Sequence, residues 1–512
     1  MKRGVITLLL LAFMFTLSSC SGNRPPSGPD NSPSPAEPVK GGEIVVGIAQ
    51  SLDSSLDPHQ MIAAGTAGTR EVLFNVFEGL VRPTTDGELI PAVAESYAID
   101  GTRYTFTLRD GVRFHNGDLV TVEDVVYSIK RSADESNPST FVSALSVVTS
   151  VEAVDNRTVV IEIAEPDNEF IAHLTVAVIP EGYENQSLNP VGTGPFRFVS
   201  FSPQENMILE RFDEYWGCPA ELDRVTFHVY DSIDTAILAM NAGMIDIASH
   251  FSVDQIRQLS DDFYSLEGSM NLVQALFLNN AVPPLDDVRV RQALNYAVNL
   301  QEIMDILADG NGFPVGSGLH PALSRCFNAD LIGYYPYDPE RAKELLAQAG
   351  LEDGFDLQII VPAVYTPHVI TAEIIVEQLR AVGVRAKIFQ VEWTYWVSEV
   401  NRGRNFEATV VGLAASNLTA RTMLERYESE NGRNFVNFSS KEYDEVFRKA
   451  RLATDEAERI RLYMELQEIL ASEAASVFLQ DLSDMVAINR KLSGFQFYPM
   501  YVIDLAPIHF VE

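Results

Sequence analysis

The stretch that decides the fold runs from Val76 to Arg131 and reads VFEGLVRPTTDGELIPAVAESYAIDGTRYTFTLRDGVRFHNGDLVTVEDVVYSIKR. Dipeptides of the Asp-Gly and Asn-Gly type interrupt it at 86–87, 100–101, 110–111 and 116–117. These dipeptides tolerate positive φ in tight connections, so the pattern predicts short strands joined by turns. Between two of the turns, Tyr104, Phe106 and Leu108 alternate with threonines, which is typical of a half-buried strand.

A helix is predicted at the end of this stretch. Thr121 is placed to act as its N-cap, because a threonine side chain can accept a hydrogen bond from the free amides of the first turn. Glu123 and Asp124 add negative charge where those amides are exposed. Val125 and Ile129 then recur at helical spacing.

The N-terminus reads as a secretion signal. Lys2 and Arg3 precede an apolar run at 5–17, which is shorter than the roughly 20 residues needed to span a bilayer. The run ends in a Leu-Ser-Ser-Cys sequence that resembles a lipobox, so residues 1–19 are predicted to be a lipoprotein signal peptide and Cys20 to be lipidated. An ordinary cleaved signal is the alternative. Two or three acyl chains would suffice for stable membrane attachment.

Residues 20–40 form a segment rich in Pro, Ser and Gly, which cannot bury a core and is predicted to be a spacer between membrane and folded protein. We therefore expect an extracytoplasmic location, at the cell surface or in the periplasm, with the membrane contacted through the lipid alone.

The chain is strongly acidic. Its 37 Lys and Arg against 71 Asp and Glu give a formal net charge of −34. Nucleic acid is excluded as a partner, because no basic excess is present to displace counterions from phosphates. A composition of 46% hydrophobic and 21% charged residues is that of a globular protein.

No catalytic motif is present in the sequence. It contains no HExxH, GxSxG, GK[ST] or CxxC pattern. Acidic pairs are abundant, but in so acidic a chain a solvated surface explains them better than an acid/base dyad. We therefore predict a protein that is not an enzyme and has neither a cofactor nor a metal site.

Several words of the sequence resemble the extracellular family 5 solute-binding proteins of bacterial ABC importers. They are FEGLV (77–81), IPAVAESY (90–97), YTFTLRDGVRFHNGD (104–118), TVEDVVYSIKR (121–131), RFDEYWG (211–217), LDRVTFHVY (222–230) and VRVRQALNYAV (288–298). Members bind dipeptides, oligopeptides, nickel and some oligosaccharides. The resemblance implies an α/β, two-lobed fold of the type II periplasmic-binding-protein kind, with an extra subdomain in the first lobe.

The resemblance extends over the chain from Gly41 and implies a domain division. Lobe I would consist of 41–75, 190–273 and 485–512, an inserted subdomain of lobe I of 76–189, and lobe II of 274–484. Two cysteines, Cys218 and Cys326, could form a disulfide in an oxidising compartment. The family comparison places them in different lobes, so unpaired thiols are expected.

Periodicity and end signals predict the main elements along the chain. We expect strands at Glu43–Ile48 and on either side of Asp155-Asn156, a strand-helix-strand unit over 356–390, and helices over 287–308, 339–349, 441–452 and 455–472. Alternating strands and helices favour an open α/β sheet.

One segment departs from the pattern of peptide-binding relatives. In those members a GW-x-x-D segment of the second lobe supplies an aspartate for the α-amino group of the peptide. By the resemblance, its tryptophan corresponds to Leu413, its aspartate to Ser416, and an arginine of some oligopeptide binders to Val410. A charge-assisted hydrogen bond contributes roughly 1.5–3 kcal/mol, so the sequence argues against simple recognition of a free peptide N-terminus.

The candidate ligand-binding residues are chosen from segments that face the interlobe region in the family. They are Ile62, Ala63, Ala64, Gly65, Asn279, Tyr365, His368, Trp393, Trp396, Ala415, Ser416 and Asn417. Aromatic faces with amides and hydroxyls suit a neutral ligand, such as an oligosaccharide or a blocked peptide. Each aromatic could equally belong to the core of a lobe, and His368 is the one candidate that could serve a nickel chelate.

The function implied is that of a lipid-anchored, monomeric substrate-binding protein. It would capture a peptide-like or other oligomeric solute by hinge closure and deliver it to an ABC permease and its ATPase subunits. An oligosaccharide-binding or nickel-chelate-binding member remains an alternative, as does a surface receptor or adhesin with no transport role. A secreted hydrolase would need a nucleophile or metal site that the sequence does not display.

Overall fold

The structure is a computed structural model, and it describes residues 39–48, 52, 54–60, 67–134, 136, 141–167, 169–414, 419–500 and 502–511. Several predicted features lie outside the described residues: the signal peptide and linker with Cys20, and the candidate residues Ile62, Ala63, Ala64, Gly65, Ala415, Ser416 and Asn417.

A seven-stranded mixed sheet forms the first lobe. In spatial order its strands are Phe263–Ser269, Ser483–Asn489, Ile247–Phe251, Glu43–Ile48, Arg224–Val229, Asn206–Arg211 and Phe196–Ser202. The predicted first strand, Glu43–Ile48, lies near the middle and pairs in parallel with both neighbours. Its alternate residues Ile44 and Val46 are 1% and 0% exposed, so this strand forms part of the lobe core.

A six-stranded sheet forms the second lobe. In spatial order its strands are Phe313–Pro314, Ser476–Asp481, Leu272–Leu278, Ala408–Ala414, Asp356–Pro362 and Arg385–Val391. The last three run parallel to one another, as the alternating strand-helix pattern predicts. All seven residues of Leu272–Leu278 are buried, which is usual for a strand covered on both faces.

The opening stretch folds into a subdomain around a four-stranded antiparallel sheet. The strands, in order, are Ala94–Asp100, Arg103–Leu108, Thr158–Ile163 and Val148–Ala153. The predicted alternation is confirmed, because Tyr104, Phe106 and Leu108 are buried. Thr121 and Asp124 form a reciprocal capping box at the start of the helix Val122–Ala133. We call this part the inserted subdomain.

Two short strand pairs and the remaining helices complete the described part of the chain. The pairs are Val81–Pro83 with Leu89–Pro91 and Leu492–Ser493 with His509–Phe510. The α-helices not yet given are Ala67–Leu73, Phe141–Leu145, Ile233–Asn241, Val253–Ile256, Val288–Ala297, Leu300–Ala308, Pro339–Gln348, Thr366–Arg380, Trp393–Tyr395, Ala420–Leu424, Lys441–Leu452 and Glu456–Ser472. Three 3₁₀ segments lie at Phe170–Thr175, Ala329–Leu331 and Glu425–Tyr427, and a π-helical segment at Trp396–Arg402.

The prediction of a single helix over 287–308 is wrong, because the structure has two helices there. Val298 adopts an extended conformation with ψ of 124°, and Asn299 then caps the second helix by accepting a hydrogen bond from the Glu302 amide at 3.3 Å. The side chain of Gln378 also accepts a hydrogen bond from the Asn299 amide at 3.0 Å. This contact from a distant helix stabilises the break.

The two lobes are joined where the chain crosses between the sheets. One crossing passes through Met270 and Asn271, and the other through Leu482. The crossings touch, because the Met270 amide donates to the Leu482 carbonyl at 2.9 Å. Asp481 Oδ1 accepts a hydrogen bond from the Leu272 amide at 3.1 Å, and burial raises the pKa of this carboxyl to about 8.

His250 packs beside the second crossing as part of a charged cluster. Its Nδ1 lies 3.2 Å from Asp484, and its Nε2 lies 3.9 Å from Glu71. Burial opposes the imidazolium charge, but the two carboxylates outweigh burial and raise the pKa of His250 to about 9. The histidine is therefore charged at neutral pH.

We expect the stability of the protein to depend on this charge. A histidine whose pKa is raised on folding contributes stability that is complete below pH 6.5 and is lost as pH rises towards 9. The free energy of unfolding should fall by about 1–3 kcal/mol over that window. Urea unfolding at several pH values measures how steeply the free energy of unfolding falls with pH. The variant His250→Gln should show a smaller dependence on pH. A wild-type slope equal to that of the variant would contradict this assignment.

Within the part of the chain that the structure describes, neither Cys218 nor Cys326 belongs to a disulfide. Cys218 is exposed, while Cys326 is partly buried in the second lobe, where burial raises the pKa of its thiol to about 12. None of the described helices combines the length and the apolar character of a membrane span.

Candidate functional site

The candidate residues of the second lobe follow the carboxyl ends of its parallel strands. Because these strands run in the same direction, their ends meet at one edge of the sheet. Tyr365 follows the strand that ends at Pro362, and Trp393 follows the strand that ends at Val391. The third strand ends at Ala414, immediately before the predicted ligand-binding residues 415–417, which we call the ligand loop. Ligands of open α/β sheets bind beyond this edge.

The same edge adjoins the crossing between the lobes. Ala414 pairs with Leu272, the first residue of the strand that follows the crossing at Met270 and Asn271. The candidate residues therefore lie on the side of the second lobe that is connected to the first.

Three aromatic rings, those of Tyr365, Trp393 and Trp396, are in contact at this edge, which we call the aromatic edge. The indoles of Trp393 and Trp396 are parallel, with centroids 5.1 Å apart and an interplanar angle of 6°. The ring of Tyr365 stands nearly perpendicular to Trp393, at 5.4 Å and 89°. Tyr365 is 41% exposed and Trp396 only 2%, with Trp393 partly buried between them. Tyr365 and Trp393 are thus the rings available to a solute.

Trp396 lies in the core behind Trp393. Its Nε1 donates to Thr409 Oγ1 at 3.0 Å, and that hydroxyl donates to the Ile360 carbonyl at 2.7 Å. Its ring also makes an edge contact with Phe435. These contacts fix the indole, so Trp396 supports the Trp393 ring from beneath.

His368 is buried, and both of its ring nitrogens contact groups of the second lobe. Nε2 accepts a hydrogen bond from the Gly412 amide at 3.0 Å, and Nδ1 lies 2.9 Å from the side-chain amide of Gln274. Burial lowers the pKa of His368 to about 4, so the ring is neutral at pH 7. Its contact with a nickel ion would require the Gly412 hydrogen bond to break.

Asn279 is not brought to this edge. It follows the opposite end of the strand Leu272–Leu278 from the end that pairs with Ala414. Its side chain donates to the Phe406 carbonyl at 2.8 Å and accepts from Asn437 at 2.9 Å. The structure therefore gives Asn279 bonds within the second lobe and separates it from the other candidates.

Comparison with known proteins decides the family. The family described as bacterial extracellular solute-binding proteins, family 5 middle, matches residues 88–435. The chain belongs to this family. The prediction made from the words in 77–131 is thereby confirmed, and so is the α/β, two-lobed fold of the type II kind with its inserted subdomain.

Relatives of known role are similar over most of their length. The dipeptide-binding protein of Escherichia coli K12 is 27% identical over 472 residues, which cover 83% of this chain and 86% of the relative. The heme-binding protein A of Haemophilus influenzae is 28% identical over 478 residues, covering 85% and 86%. The relatives are solute-binding proteins, so this family 5 member is a binding protein and not an enzyme.

A solved structure shows the same fold with a ligand. The ABC transporter-associated periplasmic binding protein DppA of Helicobacter pylori, in complex with the peptide STSA, superposes with a TM-score of 0.75 at 25% identity. The match covers 93% of this chain and 99% of that one.

The described part of this family 5 protein offers no group of three or more His, Cys, Asp or Glu side chains suited to a metal ion. A surface groove of about 730 Å³ lies on the inserted subdomain, between the helix Val122–Ala133 and the strand Val148–Ala153. It is lined by carboxylates and by Lys130 and Arg131, and it does not include the aromatic edge.

Sequence reasoning missed two arginines close to the ligand loop. Arg426 donates to the Ala414 carbonyl at 3.2 Å and so holds the end of the strand that leads into the loop. Arg421 lies in the helix Ala420–Leu424 and pairs with Asp167 at 2.6 Å. The partners of Arg421 come from a segment 254 residues away, so no local pattern could have identified the pair.

Proposed function

We propose that this family 5 protein captures a peptide-like or other oligomeric solute between its lobes and delivers it to an ABC permease. The observation that carries the proposal is the position of Tyr365 and Trp393 beyond the carboxyl ends of parallel strands, beside the crossing between the lobes. The exposed ring of Tyr365 and the partly buried ring of Trp393, held in place by the indole of Trp396, offer apolar contact area at small entropic cost. The relatives that bind a dipeptide, heme or the peptide STSA support this class of function.

Closure about the crossings is the mechanism that fits this architecture. Since only two short crossings join the lobes in the described chain, rotation there would open and close the cleft with few bonds to break. A solute shifts the equilibrium only by binding the closed form better than the open form. The ligand contacts would therefore come from both lobes: 62–65 on one side, and Tyr365, Trp393 and 415–417 on the other.

The ligand is proposed to be neutral at the end that meets the loop 415–417. Ser416 stands where peptide-binding relatives carry a carboxylate, so a free α-amino group would find no counter-charge from that position. A blocked peptide or an oligosaccharide suits this loop. The nickel-chelate alternative is less well supported, because the His368 nitrogens already contact Gln274 and Gly412.

The proposal includes attachment to the membrane. Cys20 would carry the lipid, the segment 20–40 would hold the lobes away from the bilayer, and the protein would act as a monomer outside the cytoplasm. The domain division is proposed as the sequence implies it, with lobe II at 274–484 and the inserted subdomain at 76–189.

Mass spectrometry of the purified protein tests the function. We expect a small solute to co-purify and to be released on unfolding, and the released compound should rebind with one-to-one stoichiometry in a calorimetric titration. Acetylated and free forms of one tetrapeptide should then bind with affinities within about threefold of each other, since no carboxylate meets the amino group. The absence of any bound or titratable solute, or turnover of the captured compound, would contradict the proposal.

A further inference from the structure

A cluster of charged side chains spans the two lobes. Asp167 and Glu169 follow the strand Thr158–Ile163 of the inserted subdomain, and Arg421 belongs to the second lobe. Arg421 Nη1 lies 2.6 Å from Asp167 Oδ2, and its Nε lies 3.8 Å from Glu169 Oε2. One cation of the second lobe thus contacts two carboxylates from the other side of the cleft.

The cluster is largely shielded from water. The side chains of Arg421, Asp167 and Glu169 are 17%, 19% and 12% exposed. Charges in such surroundings attract each other more strongly than exposed pairs and are screened less by salt. The Tyr104 hydroxyl donates to the Asp167 carbonyl, which holds the acidic segment on its own side of the cleft.

Two buried polar atoms beside the cluster make no hydrogen bond in this arrangement. Glu169 Oε2 and Arg459 Nη1 are both buried and neither has a hydrogen-bond partner within the described chain. Burial raises the pKa of Glu169 to about 7 against the opposing effects of Arg421 and Arg459, so this carboxyl is only partly ionised at neutral pH. A small approach of the subdomain towards the second lobe would bring additional charge pairing.

The cluster also adjoins the proposed ligand loop. Arg421 follows that loop in the chain, after Thr419 has capped the helix Ala420–Leu424 by accepting a hydrogen bond from the Thr422 amide. This arginine is therefore close in the chain to the predicted ligand-binding residues 415–417.

We propose that Asp167, Glu169 and Arg421 form an interlobe latch that stabilises the closed arrangement in the absence of solute. The proposal rests on the proposed function, because it presupposes that the lobes open and close. Opening separates the opposite charges and removes their pairing, so the latch raises the closed fraction of the empty protein. Apparent affinity for a solute that binds the closed form rises in proportion to that fraction.

Small-angle X-ray scattering of the purified full-length protein, unfolded and refolded to remove any co-purified solute, tests the latch. Arg421→Gln and Asp167→Asn should each raise the ratio of open to closed molecules on the order of tenfold, seen as a larger radius of gyration. The matched control is Arg433→Gln, which removes a 2.7 Å pair with Glu425 that lies wholly within the second lobe. That variant should scatter like the wild type.

Exchanging the charges of residues 167 and 421 distinguishes a loss of ion pairing from a loss of folding stability. The double variant Asp167→Arg with Arg421→Asp restores opposite charges and should return the radius towards the wild-type value, while thermal unfolding shows whether each variant is folded. Equal radii for the wild type and both single variants would overturn the latch. If the co-purified solute still lowers the radius of gyration of those same variants, the proposed function remains supported even when the latch is overturned. The latch measurement itself is made without solute.

Discussion

Replacing Trp393 by alanine is expected to lower the affinity for the co-purified solute by about 10- to 100-fold, because buried aromatic anchors dominate binding energies. Trp393 is partly buried, stacks on Trp396 and keeps part of its surface accessible at the aromatic edge. Its removal deletes that surface and leaves the indole beneath in place. Isothermal titration with the identified compound measures the change.

The matched control is Tyr337→Ala. Tyr337 is another aromatic residue of the second lobe and is 47% exposed. It precedes the helix Pro339–Gln348 and does not belong to the aromatic edge. It should leave the affinity within about twofold, as surface substitutions away from the site usually do. Equal affinities of the wild type and the Trp393 variant would remove the aromatic edge from the site.

Replacing Trp396 by alanine is expected to lower the free energy of unfolding by about 3–5 kcal/mol, which is the usual cost of deleting a buried tryptophan. The indole is 2% exposed, stacks on Trp393 and donates to Thr409. Its loss leaves a cavity and an unsatisfied group in the core of the second lobe. Urea unfolding, followed by circular dichroism, measures the change.

Trp396→Phe separates the ring from its hydrogen bond. The phenyl ring keeps part of the stack but lacks the N–H donor, so a smaller loss of about 1–3 kcal/mol is expected. If Trp396→Ala cost less than the phenylalanine variant, the indole would not be the structural support described above.

Local chemistry explains why much of the inserted subdomain could be predicted. A tight turn depends on a few adjacent residues, and Gly101 and Gly117 indeed adopt φ of 60° and 91°. The helix that begins after Thr121 is equally local, because its capping box uses residues three apart. Such signals need no knowledge of the rest of the fold.

The helix break at Val298 shows where local signals end. The apolar periodicity continues through 287–308, so the sequence predicts one helix. The structure ends the first helix because Asn299 hydrogen-bonds with Gln378, which belongs to a helix formed much later in the chain. A tertiary contact of this kind has no counterpart in the local pattern.

The resemblance predicted that certain aromatic residues of the second lobe are neighbours, but it did not predict the contacts of their side chains. Resemblance placed Tyr365, Trp393 and Trp396 in one segment of the cleft, and the structure brings them together. Which ring faces outward depends on core packing, and sequence spacing cannot separate Trp393 from Trp396. The direction of the strand Leu272–Leu278 similarly places Asn279 at the opposite edge of the sheet. The resemblance of the segment around Asn279 to the family did not reveal this position.

The most direct test of solute capture between two lobes is the scattering of the wild-type protein before and after saturation with its co-purified compound. We expect a smaller radius of gyration in the bound state, with a dependence on solute concentration that matches the calorimetric affinity. Saturable binding with an unchanged radius would contradict closure of the lobes around the solute.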